Sequence, residues 1–241
     1  MELFCGSTGS MVMVTTGIPD SLSTKTEILD LVSGETCADL ADFPLTNFAG
    51  VGANLNGILI VCGGVSGGYV NTCYKFTGSI WQSFASMKEN RGYAGGVMYT
   101  NKLHVFGGTD GSSTLLTSEI ISIDGGVEDG PDLPTAVGFH AITSFNSTVS
   151  ILSGGSTSAS SFSPLTWYFN HETQAFSTGP SLLEGRRLHG SATCVDEVTQ
   201  EKIPIVAGGY GNGWSALQST ELLIGGQWQS GTTQCKIVIC F

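Results

Sequence analysis

Residues 58–81 read ILIVCGGVSGGYVNTCYKFTGSIW. A short apolar run ends on a glycine pair, a polar loop intervenes, and 72–76 leads through a Thr77-Gly78 turn to Trp81. Just upstream, 48–55 is joined to the apolar run by Asn56-Gly57, a strong hairpin signal because both central residues of a type I′ turn need positive φ. With its upstream neighbour, the stretch predicts four short antiparallel strands.

The pattern recurs. An apolar run closing on paired glycines occurs at 58–64, 103–108, 149–155 and 203–209, with a weaker copy at 11–17. The second residue of each pair falls at 17, 64, 108, 155 and 209, giving intervals of 47, 44, 47 and 54 residues. Such a period is near that of four-stranded repeats and well above helical ones. First strands are expected at 48–55 and 93–99, the latter turning at Asn101-Lys102. Third strands are expected at 26–31, 72–76, 119–123, 165–169 and 220–224, each followed by a turn at 33–34, 77–78, 124–125, 170–171 or 225–226. Fourth strands place Cys37, Trp81, Val127, Phe176 and Trp228 in phase, and Pro44, Pro131, Pro134 and Pro180 mark the junctions.

A lone four-stranded sheet cannot bury both faces, whereas radial stacking covers them. Paired glycines suit places where backbones converge and φ departs from the usual regions. The bulky residue of the last strand is expected to cover the face against the next unit.

These residues resemble the kelch family: the pairs Gly63-Gly64, Gly107-Gly108, Gly154-Gly155 and Gly208-Gly209, Tyr74 with Trp81, and Glu221 with Trp228. The unit from Ile58 to Trp81 matches best. The first unit has Thr16-Gly17 for the pair, and Cys37, Val127 and Phe176 stand where the pattern has Trp. The resemblance spans nearly the whole chain and implies an all-β, kelch-type β-propeller of four-stranded antiparallel blades, one domain over 1–241. Units fall at about 1–43, 44–87, 88–133, 134–182 and 183–232, with a further strand at 233–241. Two readings of closure stay open: five blades completed by that strand, or a fragment of a larger ring, whose exposed edges would invite association.

The chain has 241 residues, 34 of them Gly, and its 41% hydrophobic content argues against disorder. A net charge of -11 disfavours nucleic acid and anionic lipid as partners. No apolar stretch approaches the roughly 20 residues of a spanning helix, so a soluble chain without membrane insertion is expected. Residues 1–9 have no basic start and do not read as a signal peptide.

Among seven cysteines no two are spaced Cys-x-x-Cys, so no structural zinc is expected. Cys62 ends one strand and Cys73 begins the next, within disulfide reach across an antiparallel pair; two buried free thiols are the alternative. Kelch repeats with such a pair are similar to those of extracellular invertebrate proteins, which favours an extracellular over a cytoplasmic setting. Asn146-Ser147-Thr148 is a glycosylation sequon on a hairpin tip, equally explained by turn chemistry.

His104, His140, His171 and His189 are spread over three units, with no nucleophile and carboxylate pattern beside them. Galactose oxidase shares the kelch-type propeller, but no motif here ties Tyr, Cys and His into its copper centre, and no metal or cofactor is assigned. The Asp boxes of sialidase-like propellers are missing. An enzyme of the galactose-oxidase or sugar-isomerase kind, with a site at the channel mouth, is the alternative; binding of a protein or small ligand is the favoured function.

Loops after the second strands and entries into the next units should emerge on one face. That face would carry Tyr69, Asp110, Tyr210, Asn212 and Trp214, with Glu89, Asn90, Arg91, Arg186 and Arg187 from the entries. Tyr, Trp and Arg are frequent binding anchors. Loop solvation, with Arg91 and Arg187 tying adjacent units, is the plainer reading.

Overall fold

A computed structural model describes residues 11–17, 23–30, 34, 36–37, 40–158, 161–195 and 199–231. The fold is all-β, in propeller-like antiparallel sheets. The first sheet has β1 (Met11–Gly17), β2 (Ser23–Asp30) and β3 (Thr36–Cys37). The second has β4 (Val51–Leu55), β5 (Ile58–Cys62), β6 (Thr72–Phe76) and β7 (Trp81–Ser86). The third has β8 (Gly95–Tyr99), β9 (Lys102–Phe106), β10 (Ser118–Ser122) and β11 (Val127–Asp129). The fourth has β12 (Ala141–Ser144), β13 (Val149–Ser153), β14 (Thr166–Asn170) and β15 (Ala175–Thr178). In the fifth, β16 (Gly190–Val195) and β17 (Lys202–Ala207) precede a small hairpin of β18 (Tyr210–Gly211) and β19 (Ser215–Ala216), after which β20 (Thr220–Ile224) and β21 (Gln227–Ser230) complete the sheet.

Each four-stranded sheet is a simple meander, and β4, β8, β12 and β16 adjoin one another in turn, so first strands lie innermost. The further strand expected at 233–241 lies outside the described residues. Asn56-Gly57 forms the expected hairpin turn, with φ of 53° and 88°. In the third sheet the turn is Thr100-Asn101, at φ 43° and 59°, one residue earlier than expected. Lys102 instead pairs with Tyr99, which keeps Leu103 and Val105 buried.

The glycine pairs lie at seams between sheets rather than along the innermost strands. A Cβ on Gly63, Gly107 or Gly154 would collide with the carbonyl of Arg91, Val137 or Arg186 at the next sheet's entry, at 2.5 Å for Gly154. A Cβ on Gly64, Gly108 or Gly155 would meet the carbonyl at its own sheet's entry, Phe48, Gly92 or Gly138, each at 2.7 Å. One glycine thus clears the next entry and the other its own. The seam is closed by Gly64 N–H to Arg91 O (2.9 Å), Gly108 N–H to Val137 O (2.9 Å) and Gly155 N–H to Arg186 O (2.8 Å).

Bulky residues of the last strands pack against the preceding sheet, not the next. Trp81 donates through Nε1 to Thr26 Oγ1 of the first sheet at 3.0 Å. Phe176 meets Phe106 of the third sheet, and Trp228 joins a core with Ile151 of the fourth. Sheet twist turns each outer strand back over its neighbour's face, a sense the repeat pattern alone does not carry.

Candidate functional site at the axial mouth

At the entry to each of the last four sheets, one non-glycine residue adopts a left-handed conformation: Ala49, Tyr93, Phe139 and Leu188, with φ between 53° and 61°. These residues form a chain of hydrogen bonds from sheet to sheet. Tyr93 N–H donates to Ala49 O (2.9 Å), Phe139 N–H to Tyr93 O (2.8 Å) and Leu188 N–H to Phe139 O (3.0 Å). A conformation unfavourable to side-chain-bearing residues persists only where its surroundings enforce it. Here it aligns the entries and brings aromatic rings together. Tyr93 and Phe139 lie 4.2 Å apart, and Phe48 is 6.1 Å from Tyr93.

The loops after the glycine pairs meet these entries. The ring of Tyr69 packs over Gly92 and Gly111 of the third sheet, where a Cβ would lie 3.2 and 2.8 Å from it respectively. Thr114 Oγ1 donates to Thr157 O, tying the third sheet's loop to the fourth's. Asp110 is used by its own loop: Oδ1 accepts from Ser112 N–H (2.7 Å) and Ser113 N–H (2.8 Å), and these bonds hold its carboxyl below the usual range. Asn212 is exposed beside Trp214, itself left-handed at φ 61°.

The three arginines fall into two kinds. Arg91 is buried, and its guanidinium donates to Gly107 O (2.8 Å), Thr117 O (3.2 Å), Glu89 (2.9 Å) and Glu119 (2.7 Å). Arg186 repeats this with Gly208 O (3.0 Å), Ser219 O (3.2 Å) and Glu221 (2.7 Å). Glu119 also accepts from Lys88 N–H, and Glu221 from Leu183 N–H, so both carboxylates are satisfied. Both arginines are placed inside their sheets, presenting no guanidinium to a partner, and Glu89 is engaged with Arg91 while Asn90 stays exposed.

Arg187 differs. It is only 5% exposed, yet among the described residues it makes no side-chain hydrogen bond or ion pair; its Nε is buried without a partner, as are those of Arg91 and Arg186, but unlike theirs its terminal nitrogens meet no carbonyl or carboxylate either. Rings surround it: its guanidinium carbon lies 3.6 Å from the ring centre of Trp214 and 4.9 Å from those of Phe139 and Phe162. Burial lowers its pKa, against a raising influence from Tyr93. Tyr93 is in turn raised by burial and by Tyr69, whose ring packs against the adjoining Gly92. Around this centre stand Trp214, Leu188 and Tyr210, exposed by 57%, 44% and 39%. Tyr210 is anchored to Arg187 by two backbone hydrogen bonds, of 3.0 and 2.9 Å.

Tyr69, Tyr210, Trp214 and Arg187 are therefore brought to one mouth, while Arg91 and Arg186 are drawn into the sheets below. Tyr93, Phe139, Phe162 and Leu188 belong to the mouth and were not singled out by sequence reasoning. Their one sequence signal is position: three directly precede the innermost strands at the same step of the repeat.

The histidines are buried. His171 bonds Ser150 Oγ (2.8 Å) and stacks on Tyr99; His189 bonds Ser153 Oγ (3.0 Å); His104 stands edge-on to His171 at 5.0 Å, and both ring nitrogens of His140 are buried without a partner among the described residues. Burial pushes His104, His140 and His171 down to about 4 and His189 to about 3. Among the described residues, no three His, Cys, Asp or Glu side chains converge as metal ligands, and no helix is long and apolar enough to cross a membrane.

Cys62 and Cys73 face each other across β5 and β6 and are joined by a disulfide, and Cys194 is also disulfide-bonded. Away from the mouth, a cleft of about 450 Å³ runs between hairpins of the fourth and fifth sheets, lined by Phe145, Tyr168, Lys202 and Ile224, with Asn146 at its edge. Asn146 Oδ1 accepts from Thr148 and Val149 N–H, the turn role expected of it. The chain matches no family model and no curated protein.

Proposed function

We propose that this chain is a kelch-type propeller whose activity is binding, with the axial mouth as its recognition surface for an extracellular protein or small ligand. One observation carries the reading: Trp214, Leu188 and Tyr210 stand exposed together around a buried arginine. Large apolar groups gathered on a surface are costly to leave in water and mark places that a partner covers. The hydrogen-bonded entries beneath them supply a preorganised base, which lowers the ordering cost of association. The disulfides support maturation in an oxidising compartment.

The same reading takes residues 233–241 as the strand that completes the first sheet. Among the described residues that sheet has three strands, and β1, which stands where the others have their second strand, has no partner on its inner edge. Truncation after residue 232 is then expected to lower the unfolding midpoint of the whole chain. An unchanged midpoint would favour a segment of a larger ring.

The recognition face is tested by capture from extracellular fluid on immobilised protein. The variant Trp214→Ser with Leu188→Ser is compared with Ile224→Ser, at the cleft away from the mouth. Species lost with the first variant and kept with the second support the mouth. Equal retention by both would sink it.

A further inference from the structure

We propose that Arg187 is the anchor of a carboxylate-binding subsite at the axial mouth, taking the carboxylate of a ligand whose body is flat or apolar. The inference rests on the binding reading above and adds the chemical class of what is bound. Its ground is the contrast between neighbours. Arg186 spends its guanidinium on Glu221, a serine and two carbonyls; Arg187, nineteen-twentieths buried, spends its own on no acceptor among the described residues. A guanidinium withdrawn from water without an anion or carbonyl is unfavourable, and folded chains pair such groups unless the pairing comes from outside.

The geometry also selects the ligand. Trp214, Phe139 and Phe162 meet the guanidinium through their rings, a stabilisation that offers no hydrogen-bond acceptor. Ring stacking leaves the in-plane N–H donors to be satisfied, and a planar carboxylate engages that edge with two parallel bonds. A phosphate carries more charge than one arginine balances, and the chain holds 20 acidic against 9 basic residues. The ring of Tyr93, 4.2 Å from that of Phe139, and the ring of Tyr69, packed over Gly92, continue the aromatic lining beside Arg187. Exposed Trp214 and Leu188 supply apolar walls for the rest of the ligand.

Either a free small carboxylate or an acidic residue of a peptide could provide the group. The test separates them. With only three arginines, the Nε–H resonance of Arg187 is assigned by its loss in Arg187→Gln. Wild-type protein is titrated with benzoate, with the neutral isostere benzamide, and with the capped dipeptide acetyl-Asp-Phe-amide. We expect a saturable shift of the Arg187 resonance with benzoate, at a Kd on the order of 1 mM, and none with benzamide. Quenching of Trp214 fluorescence should follow the same curve and weaken at least about tenfold in Arg187→Gln. Binding of the dipeptide about tenfold tighter than benzoate assigns the group to a peptide; the reverse order assigns it to a small molecule.

No saturable shift with either carboxylate overturns the subsite, as does a quenching curve unchanged in Arg187→Gln. Should that variant fail to fold, nuclear Overhauser contacts from the Nε–H to the ring of Trp214, whose centre is 3.6 Å from the guanidinium carbon, assign the wild-type resonance, and its titration still decides the matter. Partner capture that persists in Arg187→Gln, but is lost in Trp214→Ser with Leu188→Ser, would leave the recognition face standing and remove the carboxylate subsite alone.

Discussion

The third and fourth sheets solve one packing problem with opposite chemistry. Where the entry passes over the third strand, the third sheet buries Arg91 against Glu119, and the fourth buries Val137 in a core with Trp167. The fifth repeats the ion pair as Arg186 and Glu221, while the second uses Asn47, whose Nδ2 donates to Gly63 O (2.9 Å), above the Cys62–Cys73 disulfide. The backbone seam barely changes among them, since Val137 and Arg91 offer the same carbonyl to the preceding glycine pair. What repeats is a clearance for main chain. The side chains filling the slot need only be mutually satisfied, by charge, by apolar contact or by a covalent bond.

Acid provides the strongest challenge to that comparison. The four buried histidines belong to the third, fourth and fifth sheets, and the second has none. Each is held near 4 or below, under the ordinary 6.5, so the unfolded chain binds more protons between those values. Stability is then fully present above about pH 6.5 and falls as pH drops toward 4, by up to about 1.4 kcal/mol per pH unit for each histidine kept neutral. Hydrogen exchange should show the third to fifth sheets loosening before the second; the opposite order would break the assignment.

Removing half of an ion pair comes next. Glu221→Ala leaves Arg186 buried and uncompensated, and should cost about 3–5 kcal/mol in denaturant unfolding. Arg186→Met with Glu221→Leu, which imitates the apolar solution of the fourth sheet, should recover most of that loss. A double variant no better than the single one would show that the fifth sheet cannot take its neighbour's chemistry.

Glycine variants sharpen the seam. Gly154 and Gly208 share φ near 65°, so alanine is strained at both, but only Gly154 faces a following entry; the nearest atom to a Cβ on Gly208 is Leu217 O at 3.7 Å. Gly154→Ala should lower stability by about 1–3 kcal/mol more than Gly208→Ala, read by thermal unfolding. Equal losses would mean that conformation alone selects these glycines. The smallest effect is expected at Arg187. Arg187→Gln removes a charge with no ionic partner, and should change stability by less than about 1 kcal/mol, against several for Arg186→Gln.

The sheets were legible because their signals are local. Asn56-Gly57, the spacing of the glycine pairs and the placement of Cys62 opposite Cys73 each follow from a few consecutive residues and the two-residue period of a strand. The mouth was legible in part, since Tyr69, Tyr210 and Trp214 sit in loops whose side of the sheet the meander dictates. Phe139 and Phe162 were hidden because they meet Arg187 only after two sheets are set side by side. Arg186 and Arg187 are adjacent and chemically identical, and one step of backbone direction sends the first into the sheet and the second to the mouth. The sense in which Trp81 and Phe176 pack depends on twist, which no residue spells out.

The glycine seam also sets an order of assembly during synthesis. Gly64, Gly108 and Gly155 each wait for a carbonyl that is made later, at Arg91, Val137 and Arg186. A ribosome delivering this chain therefore does not release the second, third or fourth sheet finished: each of these keeps an unmet donor until the start of its successor has emerged. Pauses placed between sheets would prolong that exposure, whereas pauses just after each entry would end it.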